Sequence, residues 1–265
     1  AGPPEPTMKT LDQVAPGQCI DELPFQISLP GRYILCSDLT GAAGEDGITI
    51  VGQGVVLDLR GYTLRGVPGS GRAISIVGNW DGVTVENGFI EDWGGEGIFS
   101  EGNLPNREAI VRDLEIRRCG VGIGLSAGTI ENVLVENSTG DGIAGIMDPS
   151  PQVTPIVLRN VLSSGNGGRG VAIDRRNANR SPQFANRLEN VIASGNALEG
   201  IWYYDSEFAF QDRGAPVVLL RCTADDNGGA GVLLHLRKDA ATVESCSAHR
   251  NSGHGVSLIF LEGDD

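Results

Sequence analysis

The chain has 265 residues and a formal net charge of −14; 40% of its residues are hydrophobic and only 5% aromatic. So acidic a balance disfavours nucleic acid, whose phosphates demand clustered Lys and Arg, and no apolar run long enough to insert in a membrane occurs. Five cysteines without a CxxC pair give a zinc cluster no support, so no metal-ligand set is assigned.

Residues 1–17, opening Ala1-Gly2-Pro3-Pro4-Glu5-Pro6, read as a flexible lead with no apolar h-region, as in a chain already processed. Residues 18–46 follow. Within them Ile27-Ser28-Leu29-Pro30-Gly31-Arg32-Tyr33-Ile34-Leu35 predicts a strand, a Pro-Gly turn and a strand. This segment is expected to cap whatever repeats after it, with Cys19 and Cys36 both inside it and a bridge between them open.

From residue 47 a phrase of about ten residues ending in a small residue and an aliphatic one returns at intervals of 20 to 31. Its strand starts are Gly47-Ile48, Ala73-Ile74, Gly97-Ile98, Gly122-Ile123, Gly142-Ile143, Gly170-Val171, Gly200-Ile201, Gly231-Val232 and Gly255-Val256. Self-similarity of this period marks a stacked architecture in which no repeat buries its apolar side alone. The repeats are rich in Val, Ile, Gly and Asn and lack a 3.6-residue apolar period, which predicts short parallel strands rather than helices. The expected fold is all-β: one parallel β-helix of about nine to ten coils over residues 47–265.

Stacking sorts residues into columns one strand spacing apart. Five positions before the aliphatic stand Asn166, Asn196, Asn227 and Asn251, read as an asparagine ladder at a turn, each amide bonded to the next and tolerating left-handed backbone. Ten positions before it stand Val133, Val161, Val191, Cys222 and Cys246, an inward column. Whether its two cysteines form a disulfide or two stacked thiols stays open. The charged end Glu262-Gly263-Asp264-Asp265 leaves the last coil to be covered by a partner or by further residues.

This pattern resembles the right-handed parallel β-helix superfamily that includes pectate lyases, polygalacturonases, alginate lyases and uronan C5-epimerases. The resemblance spans roughly residues 25–262. It implies a right-handed coil, carbohydrate chemistry, calcium as a candidate cofactor, and a secreted, periplasmic or cell-surface location. The tripeptide Gly253-His254-Gly255 matches a short polygalacturonase signature, but the companion motifs are missing and it reads as a turn. Asp58, in Leu57-Asp58-Leu59-Arg60-Gly61, is similar to a recurring early-coil phrase and reads as structural.

Side chains alternate across a strand, so the first and third residues after each inward aliphatic face outward. Three consecutive coils then align Asp174, Tyr204 and His235. Trp202 flanks them on one side, Arg176 and Arg237 on the other. Asp205, Arg175 and Lys238 complete the expected substrate contacts. Long connections after Met147, Arg175 and Asp205 are expected to wall a groove over this line, and five basic residues between Arg169 and Arg187 suggest a local basic patch.

The expected reaction is β-elimination in a uronic-acid polysaccharide. Arg176 or Arg237 would pair with the substrate carboxylate, Tyr204 or His235 would move the α-proton, and Asp174 would orient His235 or bind a cation. C5-epimerisation shares the first step. Hydrolysis by Asp174 and Asp205, and a non-catalytic glycan- or protein-binding module, are the rivals. The bland reading makes Trp202 and Tyr204 a satellite core with Arg176 lying over the rings.

Overall fold

The computed structural model describes residues 17–78, 81–100, 108–145, 155–175, 185–205, 217–236 and 241–260. Every regular element among them is a strand, and the strands form two wholly parallel sheets, one of fourteen strands and one of ten.

The ten-stranded sheet runs from Phe25–Ile27 and Ile48–Ile50 through Val171–Arg175, Ile201–Asp205 and Val232–Leu236 to Val256–Phe260. Its register places Ile48, Ile74, Ile98, Ile123, Ile143, Val171, Ile201, Val232 and Val256 in one line, as the repeat demands. The first eight are buried in a core continuous along the stack. Val256 is exposed, as are its strand-mates Leu258 and Phe260, the last at 62%.

In the fourteen-stranded sheet, Val83–Glu91, Ala109–Arg117, Gly128–Glu136, Ile156–Ser164 and Asn186–Ser194 are nine residues each. Each bends at its fifth residue, where Asn87, Asp113, Asn132, Asn160 and Asn190 take φ of 52–61°. Asn and Asp are the non-glycine residues that accept this conformation best. The bend divides one long strand into two arms facing different directions. Outside the bend Nδ2 of Asn160 donates to Oδ1 of Asn132 at 3.0 Å, and Asn190 to Asn160 at 2.9 Å. This exposed ladder was not foreseen.

The expected ladder is present, with Asn166, Asn196 and Asn227 buried and Asn251 half-buried at its end. Nδ2 of Asn166 donates to Asn196, Asn196 to Asn227 and Asn227 to Asn251, each at 2.9 Å. The same oxygens accept backbone N–H groups of the preceding coil, so each side chain satisfies a buried turn as well as its neighbour. The left-handed residue, however, is not the ladder asparagine but the one before it: Gly165, Gly195, Asp226 and Arg250 carry the positive φ. Steric freedom sits where the chain turns, and the next side chain points inward. In earlier coils this column holds Trp93, Cys119 and Ser138, with the Trp93 indole N–H donating to the Leu64 carbonyl at 3.1 Å.

The ladder also explains the glycine before the aliphatic residue in the coils it crosses. A Cβ on Gly170, Gly200 or Gly231 would stand 2.6–2.7 Å from Nδ2 of the next coil's asparagine and 2.6–2.7 Å from the next glycine's carbonyl oxygen. No side chain fits there.

Inward Val133, Val161, Val191 and Cys222 are buried and Cys246 is half-buried. Cys222 and Cys246 are free thiols, the Cys222 N–H donating to Sγ of Cys246 at 3.3 Å, whereas Cys19 and Cys36 form a disulfide. Strands Phe25–Ile27 and Gly31–Leu35 appear where expected and pair in line with the two sheets. Asp58 is buried and accepts hydrogen bonds from Arg32, Asn87 and the backbone of Arg60, a structural role. His254 is exposed in the connection before Val256, its carbonyl accepting the Gly231 N–H at 2.9 Å.

Candidate functional site

Strands Val171–Arg175, Ile201–Asp205 and Val232–Leu236 carry the predicted site. Their register pairs Asp174 with Tyr204 and Tyr204 with His235, so the three lie in one column on consecutive coils. All three are half-buried. The Tyr204 and His235 rings meet edge to face, with centroids 4.8 Å apart. Trp202 stacks on Tyr204 at 5.7 Å and meets His235 edge-on at 6.4 Å, making a three-ring cluster.

The column two residues nearer the strand start points away from the core, yet several of its members are closed to solvent. Ser75 is 2% exposed, Ala172 5% and Trp202 9%. Small Ser75 and Ala172 are shaded by the taller Phe99 and Trp202 paired with them. Trp202 itself lies under the guanidinium of Arg169, 4.4 Å from the ring centroid. The indole face meets Arg169, and a sugar ring would have to displace that cation to stack there. Among the described residues the guanidinium over the ring is that of Arg169; Arg176 lies outside them.

Arg169 is held from two sides. Its Nε donates to Glu199 at 2.7 Å, and its backbone N–H donates to Asp141 Oδ1 at 2.7 Å. The same device occurs four coils earlier: Arg72 lies over Phe99 at 3.6 Å, its Nε donates to Glu96 at 2.9 Å, and its N–H donates to Asp46 at 2.8 Å. The sequence signal was an Arg two residues before one aliphatic and a Glu two residues before the next. Columns read only forward from the aliphatic miss it.

Two residues of the basic stretch stand on different sheets. Arg169 precedes a strand of the ten-stranded sheet, whereas Arg187 lies in Asn186–Ser194 of the other and pairs with Glu189. Strand pairing sets the backbones of Arg175 and Asp205 side by side. Arg176, Arg237 and Lys238, and the connections expected to wall the groove, lie outside the described residues.

Burial holds the His235 imidazole below the usual histidine range, partly offset by the charge of Glu199. Its Nδ1 is shielded from solvent and has no hydrogen-bond partner among the described residues. A neutral imidazole beside a phenol provides a proton acceptor and a group that can donate or accept, and the Asp174 carboxylate stands one coil beyond the phenol. For a cation such as calcium, the described residues hold no cluster of three or more His, Cys, Asp or Glu side chains.

Two stacked parallel sheets with this column on one face define a parallel β-solenoid. The sequence profile of the right-handed β-helix region matches residues 46–211, more than half of the chain, and the chain belongs to that family. Among solved structures it is similar in fold to the A-module of the mannuronan C-5 epimerase AlgE6 of Azotobacter vinelandii. That match has 19% identity and a TM-score of 0.51, and covers 92% of this chain and 71% of the other. It is also similar to the AlgE4 A-module of the same organism, with 15% identity, 91% and 72% coverage and a TM-score of 0.49. No curated protein matches the sequence.

Proposed function

We propose that this β-helix acts on an acidic, uronic-acid polysaccharide by removing the proton α to the sugar carboxylate. The observation that carries the reading is the desolvated His235 imidazole, with no described partner at Nδ1, set edge-on to Tyr204 in a column with Asp174. His235 or Tyr204 takes the proton, and Asp174, two coils from His235, is assigned to orienting its imidazole through the intervening Tyr204 or to binding a cation. Arg176 and Arg237, with Arg175, Asp205 and Lys238, are assigned to the carboxylate and hydroxyl contacts that lower the cost of developing negative charge.

Lyase and epimerase share this step. Loss of the leaving oxygen gives an unsaturated product, and reprotonation from the opposite face gives the epimer. We favour β-elimination; the fold's likeness to a mannuronan C-5 epimerase makes epimerisation the first alternative. We further propose a stack of about nine to ten coils closed at its first end by residues 18–46. The proposed location is outside the cytoplasm, where the Cys19–Cys36 disulfide would persist.

The test is incubation with polyuronates and glycosaminoglycans in the presence and absence of calcium. Ultraviolet absorbance follows unsaturated product, and proton NMR in deuterium oxide follows exchange at the α-carbon. Product or exchange that disappears in Tyr204→Phe or His235→Ala supports the reading; retention of both signals in both variants overturns it.

A second reading, a non-catalytic glycan-binding or structural module, is favoured by one observation. Trp202 is packed between Tyr204 and Arg169 as a satellite core would be. Oligosaccharide binding without turnover, unchanged by His235→Ala, would select it.

A further inference from the structure

An open groove lies on the other sheet. Between the bend residues and the outward side chains two positions further on, the fourteen-stranded sheet carries a groove of about 570 Å3, entirely within the described residues. One rim is polar: Asn87, Asp113, Asn132 and Asn160. The other carries Phe89, Leu134 and Leu162, aligned by register with Glu115 among them. Phe89 is 38% exposed, and Ile192, next in the same column, is 44% exposed. A smaller pocket of about 230 Å3 borders Phe89 and Glu115 as well, so these side chains form a ridge between two depressions.

The two rims ask for different chemistry. Each amide of the exposed ladder uses one N–H and one oxygen lone pair within the ladder, and a carboxamide has two of each. On the polar rim Asn132 and Asn160 therefore each offer a donor and an acceptor, at the strand spacing of about 4.8 Å, beside the accepting carboxylate of Asp113. The facing rim offers hydrocarbon and an aromatic ring. A pyranose matches both, with hydroxyls that donate and accept along its edge and an apolar C–H face.

Charge narrows the choice. Asp113 accepts the Asn132 amide at 3.0 Å, and Glu115 pairs with Arg117 at 2.9 Å, which leaves the groove with no surplus of cations to receive a polyanion. We propose that this groove binds a neutral glycan chain laid along the solenoid axis, at a site separate from the Asp174, Tyr204 and His235 column.

The test is calorimetric titration of the intact chain with neutral linear oligosaccharides (gluco-, xylo- and manno-oligomers) and, in parallel, with oligouronates. The expected result is binding of at least one neutral oligomer, weakened about tenfold by Phe89→Ala and by Leu134→Lys. That binding should be unchanged by Tyr204→Phe. Circular dichroism melts of both groove variants matching the parent exclude a folding defect; should Phe89→Ala melt early, Leu134→Lys decides alone. No neutral binding, binding indifferent to the groove substitution, or binding abolished by Tyr204→Phe would each overturn the proposal.

Discussion

The imidazole of His235 stands edge-on to the ring of Tyr204, centroids 4.8 Å apart, on the adjacent coil. Burial there favours the neutral ring, so the folded-state pKa lies below the ordinary value of 6.5. Between the two values the unfolded chain binds more protons than the folded one. This contribution to stability is therefore constant above pH 6.5 and is lost as pH falls below it. Urea titrations of the parent and His235→Asn should show a stability difference that shifts against the parent on acidification; a shift in the parent's favour would contradict the burial argument. Any activity that needs His235 as a base should likewise persist below that pH.

Asn196 sits mid-ladder. Its Nδ2 donates to Asn227 and to the Ser163 carbonyl, and its Oδ1 accepts from both the side chain and backbone of Asn166. Asn196→Ala leaves several buried groups unpaired and should cost on the order of 3 kcal/mol, against about 1 kcal/mol for the half-exposed Asn251→Ala. Equal urea midpoints for the two variants would show that the ladder does not act as a buried network.

Gly200 tests the close approach. An alanine Cβ would meet Asn227 Nδ2 at 2.6 Å, the Gly231 carbonyl at 2.7 Å and the Ala224 Cβ at 3.0 Å. Gly200→Ala should destabilise by about 1–3 kcal/mol through overpacking, whereas Leu198→Ala, at an exposed site in the same coil, should change little. Thermal melts of the two side by side decide it.

The three free thiols should react in two classes. Burial pushes Cys119 and Cys222 up to about 12, and both are shielded, whereas Cys246 is half-buried in the last coils. An aromatic disulfide reagent at mildly alkaline pH should label one thiol in the native protein and the other two only after denaturation. Rapid labelling of all three would mean that the coils open freely.

Columns were readable because a repeat turns sequence position into spatial position. Ile48 to Val256, the ladder asparagines and the line from Asp174 to His235 all follow from one register. What escaped was set by contacts between columns. The Arg169 and Glu199 pair over Trp202 joins residues thirty or more positions apart, on different sides of the strand start. The left-handed bends at Asn132 and Asn160 were in plain view in repeated Glu-Asn-Val and Arg-Asn-Val phrases, but an alternating strand pattern gives no hint that one residue in nine turns a corner.

The two ladders carry opposite polarity. In the buried one the amide-to-amide bonds run toward the next coil, from Asn166 to Asn251; in the exposed one they run toward the previous coil, from Asn190 back to Asn132. The two rows of amide-to-amide bonds therefore oppose each other along the stack, unlike the aligned amides of a long helix. The exposed row is also closed electrostatically at both ends. The Asp113 carboxylate receives the N–H of Asn132, and the Arg221 guanidinium donates to the oxygen of Asn190. An anion at the positive pole and a cation at the negative pole are what a helix gains from its terminal charges, here achieved by side chains alone along a β-structure.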